Sequence, residues 1–197
     1  MLYKILVKIN TIIYQVFVYP FYKYYFGNFG SQSKIISPNI IEHPKRIFIG
    51  NNVLIRRNAW LAANPITGNT NCSLLIGDNT YVGNNAHFYA TSKIEIQRKV
   101  LIADRVYISD NSHGFEHINI PIIDQPIRQL QEVVIGEGAW LGENVCIIGA
   151  SVGKNSVVAA NSVVNQNIPD YCIAAGIPAK VIKKFNVETK IWEKVIY

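Results

Sequence analysis

Large aliphatic residues recur at every sixth position from Ile49 onward. "IGNNVL", "IRRNAW" and "LAANPI" begin at Ile49, Ile55 and Leu61, and "IGDNTY", "VGNNAH" and "FYATSK" at Ile76, Val82 and Phe88. "IQRKVL", "IADRVY" and "ISDNSH" follow from Ile96, Ile102 and Ile108, then "IGEGAW", "LGENVC" and a shortened unit from Ile135, Leu141 and Ile147. "VGKNSV", "VAANSV" and "VNQNIP" close the series from Val152, Val158 and Val164, giving five groups of three separated by breaks. A unit that opens on a large aliphatic residue, often with Gly second and a small or β-branched residue fifth, predicts a short strand with that aliphatic side chain inward, then a tight corner. Three units close a triangular coil, and coils stack at ~4.8 Å through backbone hydrogen bonds. Asn at the fourth position suits the corner because it tolerates left-handed backbone angles. The alternating runs and hairpin signals of a two-layer sandwich are weak. The predicted fold class is therefore all-β, a parallel β-helix over residues 35–185, with an N-terminal apolar segment 1–34 and a C-terminal tail 186–197.

Two breaks stand out, because a stacked coil gains nothing from them. "NPITGNTNCSL" (Asn64 to Leu74) separates the first and second groups, and Gly114 to Val133 separates the third and fourth. An excursion of ~20 residues in a compact fold is usually functional or mobile. This one begins directly after His113. The N-terminal stretch "MLYKILVKINTIIYQVFVYPFYKYYF" is apolar and aromatic with Lys4, Lys8 and Lys23 interspersed. Its longest uncharged run, Ile9 to Tyr22, carries Asn10, Gln15 and Pro20 and falls short of the ~20 residues of a spanning helix. No small-residue cleavage site follows, so no signal peptide is expected. Two readings stay open for it: an amphipathic segment lying on a membrane surface, or a helix capping the core.

Composition narrows the class. A chain of 197 residues suffices for one domain with a full core, and 16% charged against 49% hydrophobic residues rules out a disordered chain. The net charge of +6 suits an anionic ligand, a membrane surface or nucleic acid. Nucleic acid is not expected, since the basic residues form no single block and its binding signatures are missing. Cys72, Cys146 and Cys172 are an odd number without zinc-ligand spacing. Reduced thiols that pack in the core, and hence a cytoplasmic chain, are the expectation.

Chemistry concentrates in "ISDNSHGFEH", Ile108 to His117. His113 ends the third unit of its coil at a corner, and a neutral imidazole can take a proton from a hydroxyl near neutral pH. Asp110 could accept the other ring N–H and hold the tautomer. A corner histidine hydrogen-bonded to its own loop is the plain alternative.

"SDNSHGFEHINIPIIDQPI", "VVIGEGAWLGENV" and "VVAANSVVNQNIPDYCIAAGIPAKVIKK" match, in order and spacing, the C-terminal half of the hexapeptide-repeat acyltransferases. The chain most resembles their acetyl-CoA-dependent O-acetyltransferases that modify surface polysaccharides. That resemblance implies a left-handed β-helix, a homotrimer, and acetyl-CoA as co-substrate without a metal. It implies His113 as the general base, with Trp140 and Gly142 beside the thioester and pantetheine arm and a backbone amide, that of Gly142, at the oxyanion. Ala160, Asn165, Ala175 and Gly176 match the run that lines the cofactor groove, and Lys180 and Lys183 the basic positions that meet its phosphates. The acceptor it implies is a sugar hydroxyl. The small-sugar enzymes carry an Asn-x-Asn element one coil before the histidine, where this chain reads "FYATSK" with Tyr89 and Thr91. That departure favours a glycan or a lipid-linked saccharide over a small soluble sugar, with peripheral contact at the inner face of the membrane through the N-terminal segment.

Rival readings can be separated. The γ-class carbonic anhydrases share the β-helix and bind zinc through three histidines; His87, His113 and His117 are candidates by count but match neither that family's spacing nor its corner, since His87 ends a second unit and His113 a third. An antibiotic acetyltransferase would share the histidine and the excursion. An amino-sugar N-acetyltransferase usually brings an extra N-terminal domain, for which the 48 residues before the repeat leave no room. A non-enzymatic β-helix scaffold would bind no acetyl-CoA.

Overall fold

The computed structural model describes residues 14–196. Strands of each coil go in turn to three parallel sheets, which form the faces of a triangular solenoid. The first face stacks Asn28–Phe29, Ile47–Ile49, Ser73–Ile76, Lys93–Ile96 and Val133–Ile135, continued by single bridges at Val152 and Ile168. The second stacks Lys34–Ile35, Leu54–Ile55, Tyr81–Val82, Leu101–Ile102, Trp140–Leu141, Val157–Val158 and Cys172–Gly176. The third stacks Ile40–Glu42, Trp60–Ala63, His87–Ala90, Tyr107–Ser109, Cys146–Ile148 and Val163–Val164. The coil thus begins at Asn28, one coil before the periodicity becomes visible in the sequence.

Each unit's opening residue points inward. Ile49, Ile55, Leu61, Ile76, Val82, Phe88, Ile96, Ile102 and Ile108 are all fully or almost fully buried. Burial of each contributes about 1.5–3 kcal/mol. The fifth residue fills the corner beneath it, as Val53, Ala59, Ala86, Val100 and Val106 do. The fourth residue makes the turn. Asn52, Asn58, Asn79, Asn85, Asn144, Asn155 and Asn161 have φ between 48° and 61°, and so do Lys99 (59°) and Arg105 (58°). The Asn side chains also bond from coil to coil, Asn52 Nδ2 to Asn79 Oδ1 at 2.9 Å and Asn58 Nδ2 to Asn85 Oδ1 at 3.2 Å.

A short helix, Tyr19–Tyr25, starts with proline in its first turn and covers the N-terminal end of the solenoid. Tyr22 sits 5.5 Å from Phe26 and 5.3 Å from Phe29, ring centre to ring centre, and both phenylalanines are buried. Its other side leaves Phe21 and Tyr24 exposed. Residues 1–13, where most of the membrane-surface expectation rests, lie outside the described residues. Among the described residues no helix is long and apolar enough to cross a membrane. At the far end, Ala179–Asn186 folds back antiparallel on Cys172–Gly176, and Ile191–Lys194 pairs with it in turn.

Candidate functional site

Strand alternation leaves one column of outward side chains on the third face just before each buried aliphatic residue. Trp60, His87 and Tyr107 stand there in register on successive coils. The indole and imidazole are stacked, 4.2 Å between centroids and 10° between planes. Trp60 Nε1 donates to Glu42 Oε1 at 2.9 Å, which fixes the indole and engages that carboxylate. Tyr107 closes on the imidazole from the other side, at 5.0 Å and 69°. Burial pushes the His87 pKa below its ordinary value, opposed by the charge of Glu42, so the ring is neutral at neutral pH. Its Nε2 is buried without a hydrogen-bond partner among the described residues.

His113 arrives on a different element. After Ser109 the chain leaves the third face, and Asn111–His113 pairs antiparallel with Ile127–Gln129 as a hairpin that carries the excursion. His113 lies opposite Ile127 in this hairpin and is exposed. Gln125 staples the loop beyond it, donating to the carbonyls of His117 (3.0 Å) and Ile120 (2.9 Å).

The hairpin is rooted by Asp110, and here the sequence expectation is corrected. Asp110 is fully buried. Its Oδ1 accepts from Thr91 N (2.8 Å) and Thr91 Oγ1 (3.0 Å), and its Oδ2 from Ser92 N (2.7 Å) and Lys93 N (2.8 Å). Both oxygens are spent on the corner where its own coil begins, so Asp110 does not orient the imidazole. Glu116 is committed as well, to Phe115 N (2.9 Å) and Arg128 Nη1 (3.1 Å). Among the described residues His113 has no carboxylate partner. Gln129 completes the root. Its Nε2 donates to the carbonyl oxygens of Asp110 (2.7 Å) and Leu130 (3.1 Å), while its Oε1 accepts from Thr67 Oγ1 (2.6 Å) and lies 2.8 Å from Thr91 Oγ1, whose single proton it shares with Asp110.

Between column and hairpin lies a pocket of ≈ 320 Å³, lined by His113, His87, Tyr89, Tyr107, Ile66 and Ile127 among others. No Asp, Glu, Lys or Arg side chain lines it. A larger, shallower hollow of ≈ 560 Å³ on the first face contains no histidine. Its glutamates are already paired, Glu95 with Lys93 at 2.8 Å and Glu137 with Arg98 at 3.0 Å. Of the two, the smaller one presents imidazoles.

The remaining sequence candidates fall elsewhere. Trp140 is 48% exposed on the second face, in register with Leu101 and Val157. Gly142 follows it at a corner where an added Cβ would stand 2.6 Å from the Ala160 amide, so only glycine allows the two coils to stack. Its own N–H donates to Val158 O at 2.9 Å. The expectation that this amide holds an oxyanion is corrected, since the neighbouring coil already uses it. Asn165 is exposed after the strand Val163–Val164. Ala175 and Gly176 end the last strand of the second face, where Lys180 pairs with Ala175 and Lys183 with Ile173 across the antiparallel return. Trp140, Ala175, Gly176, Lys180 and Lys183 form a strip on the second face out to the C-terminal hairpin, Asn165 stands at the end of a third-face strand, and His113 stands off the third face. None of them lines the pocket that His113 lines.

His87, His113 and His117 do not assemble as ligands, and no cluster of three His, Cys, Asp or Glu suited to a metal occurs among the described residues. Burial pushes all three thiols up, Cys72 to about 11, which fits packing rather than reactivity. Sequence reasoning missed Trp60 and Tyr107 as pocket residues, and also Gln129 and Ile66. A signal for the first two was present: Trp60, His87 and Tyr107 each immediately precede the aliphatic residue of a third unit.

Comparison with known proteins agrees with this repeat. Residues 132–166 match the family model described as the hexapeptide repeat of succinyl-transferase. A protein of Escherichia coli (strain K12), provisionally named the lipopolysaccharide biosynthesis O-acetyl transferase WbbJ, is 44% identical over 128 residues, 61% of this chain and 65% of that protein. The chain spans only 53–56% of two further relatives named as acetyltransferases. Among solved structures, a hexapeptide-repeat acetyltransferase of Vibrio cholerae complexed with acetyl coenzyme A is 26% identical, with a TM-score of 0.58 over 85% of this chain and 76% of that one. AntD, an N-acyltransferase of Bacillus cereus complexed with dTDP and 3-hydroxybutyryl-CoA, has a TM-score of 0.68 at 21% identity over 85% of this chain and 87% of that one. At that identity AntD speaks for the fold alone. The resemblance to hexapeptide-repeat acyltransferases read from the sequence holds.

Proposed function

We propose that the chain is an acetyl-CoA-dependent O-acetyltransferase acting on a sugar hydroxyl of a surface polysaccharide or its lipid-linked precursor, with His113 as general base. The observation that carries this reading is His113 itself, exposed on a rooted hairpin beside an uncharged pocket. The hydroxyl oxygen attacks the thioester carbonyl as an imidazole nitrogen of His113 takes its proton. The tetrahedral intermediate collapses, the C–S bond breaks, and the thiolate of coenzyme A leaves with the proton held by His113. No metal takes part in these steps. The provisional name of the Escherichia coli relative supports the polysaccharide acceptor, and the Vibrio cholerae complex supports acetyl-CoA.

The same reading takes the coil as left-handed and the assembly as a homotrimer. Two observations support an assembly. Tyr81, Leu101 and Trp140 form an exposed apolar column in register on the second face. The cofactor strip and His113 lie on different faces, so a groove between subunits would bring one chain's strip to another's histidine. In this reading Gly142, Ala160, Asn165, Ala175 and Gly176 line the groove, and Lys180 and Lys183 meet the phosphates. Contact with the inner face of the membrane, in a cytoplasmic enzyme, is supported by the exposed Phe21 and Tyr24 beside Lys23.

Calorimetric titration of acetyl-CoA into the wild type and His113→Ala, paired with thiol release on a glycan mixture, tests the proposal. Both proteins should bind acetyl-CoA, and the variant should lose about 10²–10⁴-fold in turnover. Failure of both to bind, or full turnover by the variant, overturns it.

A further inference from the structure

The insertion at residues 64–72 has no part in the reaction just described, yet it reaches the same pocket. Asn64 Nδ2 donates to the hydroxyl oxygen of Tyr89 at 3.3 Å, and Asn69 Nδ2 to Ser92 Oγ at 2.6 Å. Between these two anchors Ile66 enters the pocket lining together with Ile127 of the excursion hairpin. Thr67, the next residue, donates its hydroxyl to Gln129 Oε1 at 2.6 Å and so ties the insertion to the root of the hairpin that carries His113. Two loops 62 residues apart at this bond thus form one wall.

The chemistry of that wall is selective. Ile66 and Ile127 offer no polar atom beyond the backbone, and Tyr89, Tyr107, Asn111 and Ser112 offer only uncharged donors and acceptors. Glu42, behind Trp60, already accepts the indole N–H. Arg128, opposite Ser112 in the hairpin, is bonded to Glu116 at 3.1 Å and does not line the pocket. A carboxylate or phosphate entering this pocket would lose water and meet no lysine or arginine in the lining, which is unfavourable. A hydroxylated ring with apolar C–H edges would lose little.

We propose that residues 64–72 are a specificity element of the acceptor site, and that Ile66 with Ile127, held by Thr67 and Gln129, admits an uncharged saccharide unit and rejects one whose ring bears a carboxylate or phosphate. This rests on the acetyltransferase reading above. Discrimination comes from an unpaired charge in the wrong acceptor rather than from an added attraction to the right one.

The test uses the full chain, acetyl-CoA, and two acceptors that differ in one group, a neutral oligosaccharide fragment of a surface glycan and the same fragment with its primary alcohols oxidised to carboxylates. Thiol release gives kcat/KM for each, and calorimetry gives the acetyl-CoA Kd. The wild type should prefer the neutral acceptor by about 100-fold or more. Ile66→Lys supplies the missing cation and should narrow that ratio by about 10-fold or more, with the acetyl-CoA Kd unchanged. Ile66 is 49% exposed, so the variant should fold. Thr67→Val keeps the side-chain shape, cuts the tie and should raise the KM of the neutral acceptor more than it lowers kcat. Equal use of both acceptors by the wild type, or an unmoved ratio in Ile66→Lys, overturns the inference while leaving the acetyltransferase reading standing. Transfer to neither acceptor, or no acetyl-CoA binding, overturns the acetyltransferase reading and this inference with it.

Discussion

Replacing Asp110 by Asn separates an anchor from a catalytic partner. The buried carboxylate receives three backbone amides at 2.7–2.8 Å, those of Thr91, Ser92 and Lys93, shared between its two oxygens. Asparagine keeps one acceptor oxygen and turns an NH2 group toward the remaining amides. If the oxygen stays with Thr91, the amides of Ser92 and Lys93 lose their partner. Each buried donor left unsatisfied costs about 1–3 kcal/mol, so the pair costs about 2–6 kcal/mol and a central value is about 4 kcal/mol. For a chain of this length, each kcal/mol lowers Tm by about 2–4 °C, and the variant should melt about 10 °C below the wild type. Circular dichroism melts at one fixed protein concentration measure this, with the concentration held because assembly would shift Tm. A carboxylate that only oriented His113 would behave differently, losing turnover with the fold intact. A Tm within about 1 °C of the wild type, together with lost thiol release, would refute the anchoring role.

Lys99→Asn should raise stability by about 0.5–1 kcal/mol, because Lys99 holds a left-handed φ of 59° that costs a lysine more than an asparagine. Urea unfolding checks the gain, and an unchanged midpoint would show that the corner is not strained. Burial lowers the His87 pKa, so the folded state resists its protonation while the unfolded state does not. The stability associated with neutral His87 is fully present above the ordinary histidine value of 6.5 and is lost as pH falls below it toward the depressed folded value. A Tm–pH profile of the wild type should therefore drop more steeply below about pH 6.5 than that of His87→Phe. Parallel profiles would remove the burial argument.

The solenoid was legible because its stability rests on one repeated act, the burial of a large aliphatic residue per unit, and that leaves a period in the sequence. Asn at the fourth position marked the corners for the same reason, and Lys99 and Arg105 show the backbone imposing the conformation on residues that do not favour it. The period is not visible in the first coil, although the predicted β-helix from residue 35 takes in most of it, because Pro38 and Pro44 disturb its corners and Asn gives way to Ser37 and His43 at the left-handed positions. His113 was legible as an isolated polar residue at a break. The roles of its neighbours were not. Asp110 and His113 are close in sequence, but the chain leaves the third face between them, so one is buried and the other exposed. Gly142 misled for a related reason: in a stacked coil the next coil claims the backbone amides, and sequence does not tell which amide is spared.

Solenoids lend themselves to modular change, since a coil meets only its neighbours and one can be added or removed with like-for-like interfaces on either side. The bond from Thr67 to Gln129 works against that freedom. It joins loops that leave the stack before and after two intervening coils, so neither loop carries the pocket by itself. Grafting the excursion hairpin onto another solenoid would transplant a histidine without the wall that faces it. Inheritance of the pocket requires a block running from the first insertion through the hairpin, transferred with its register intact.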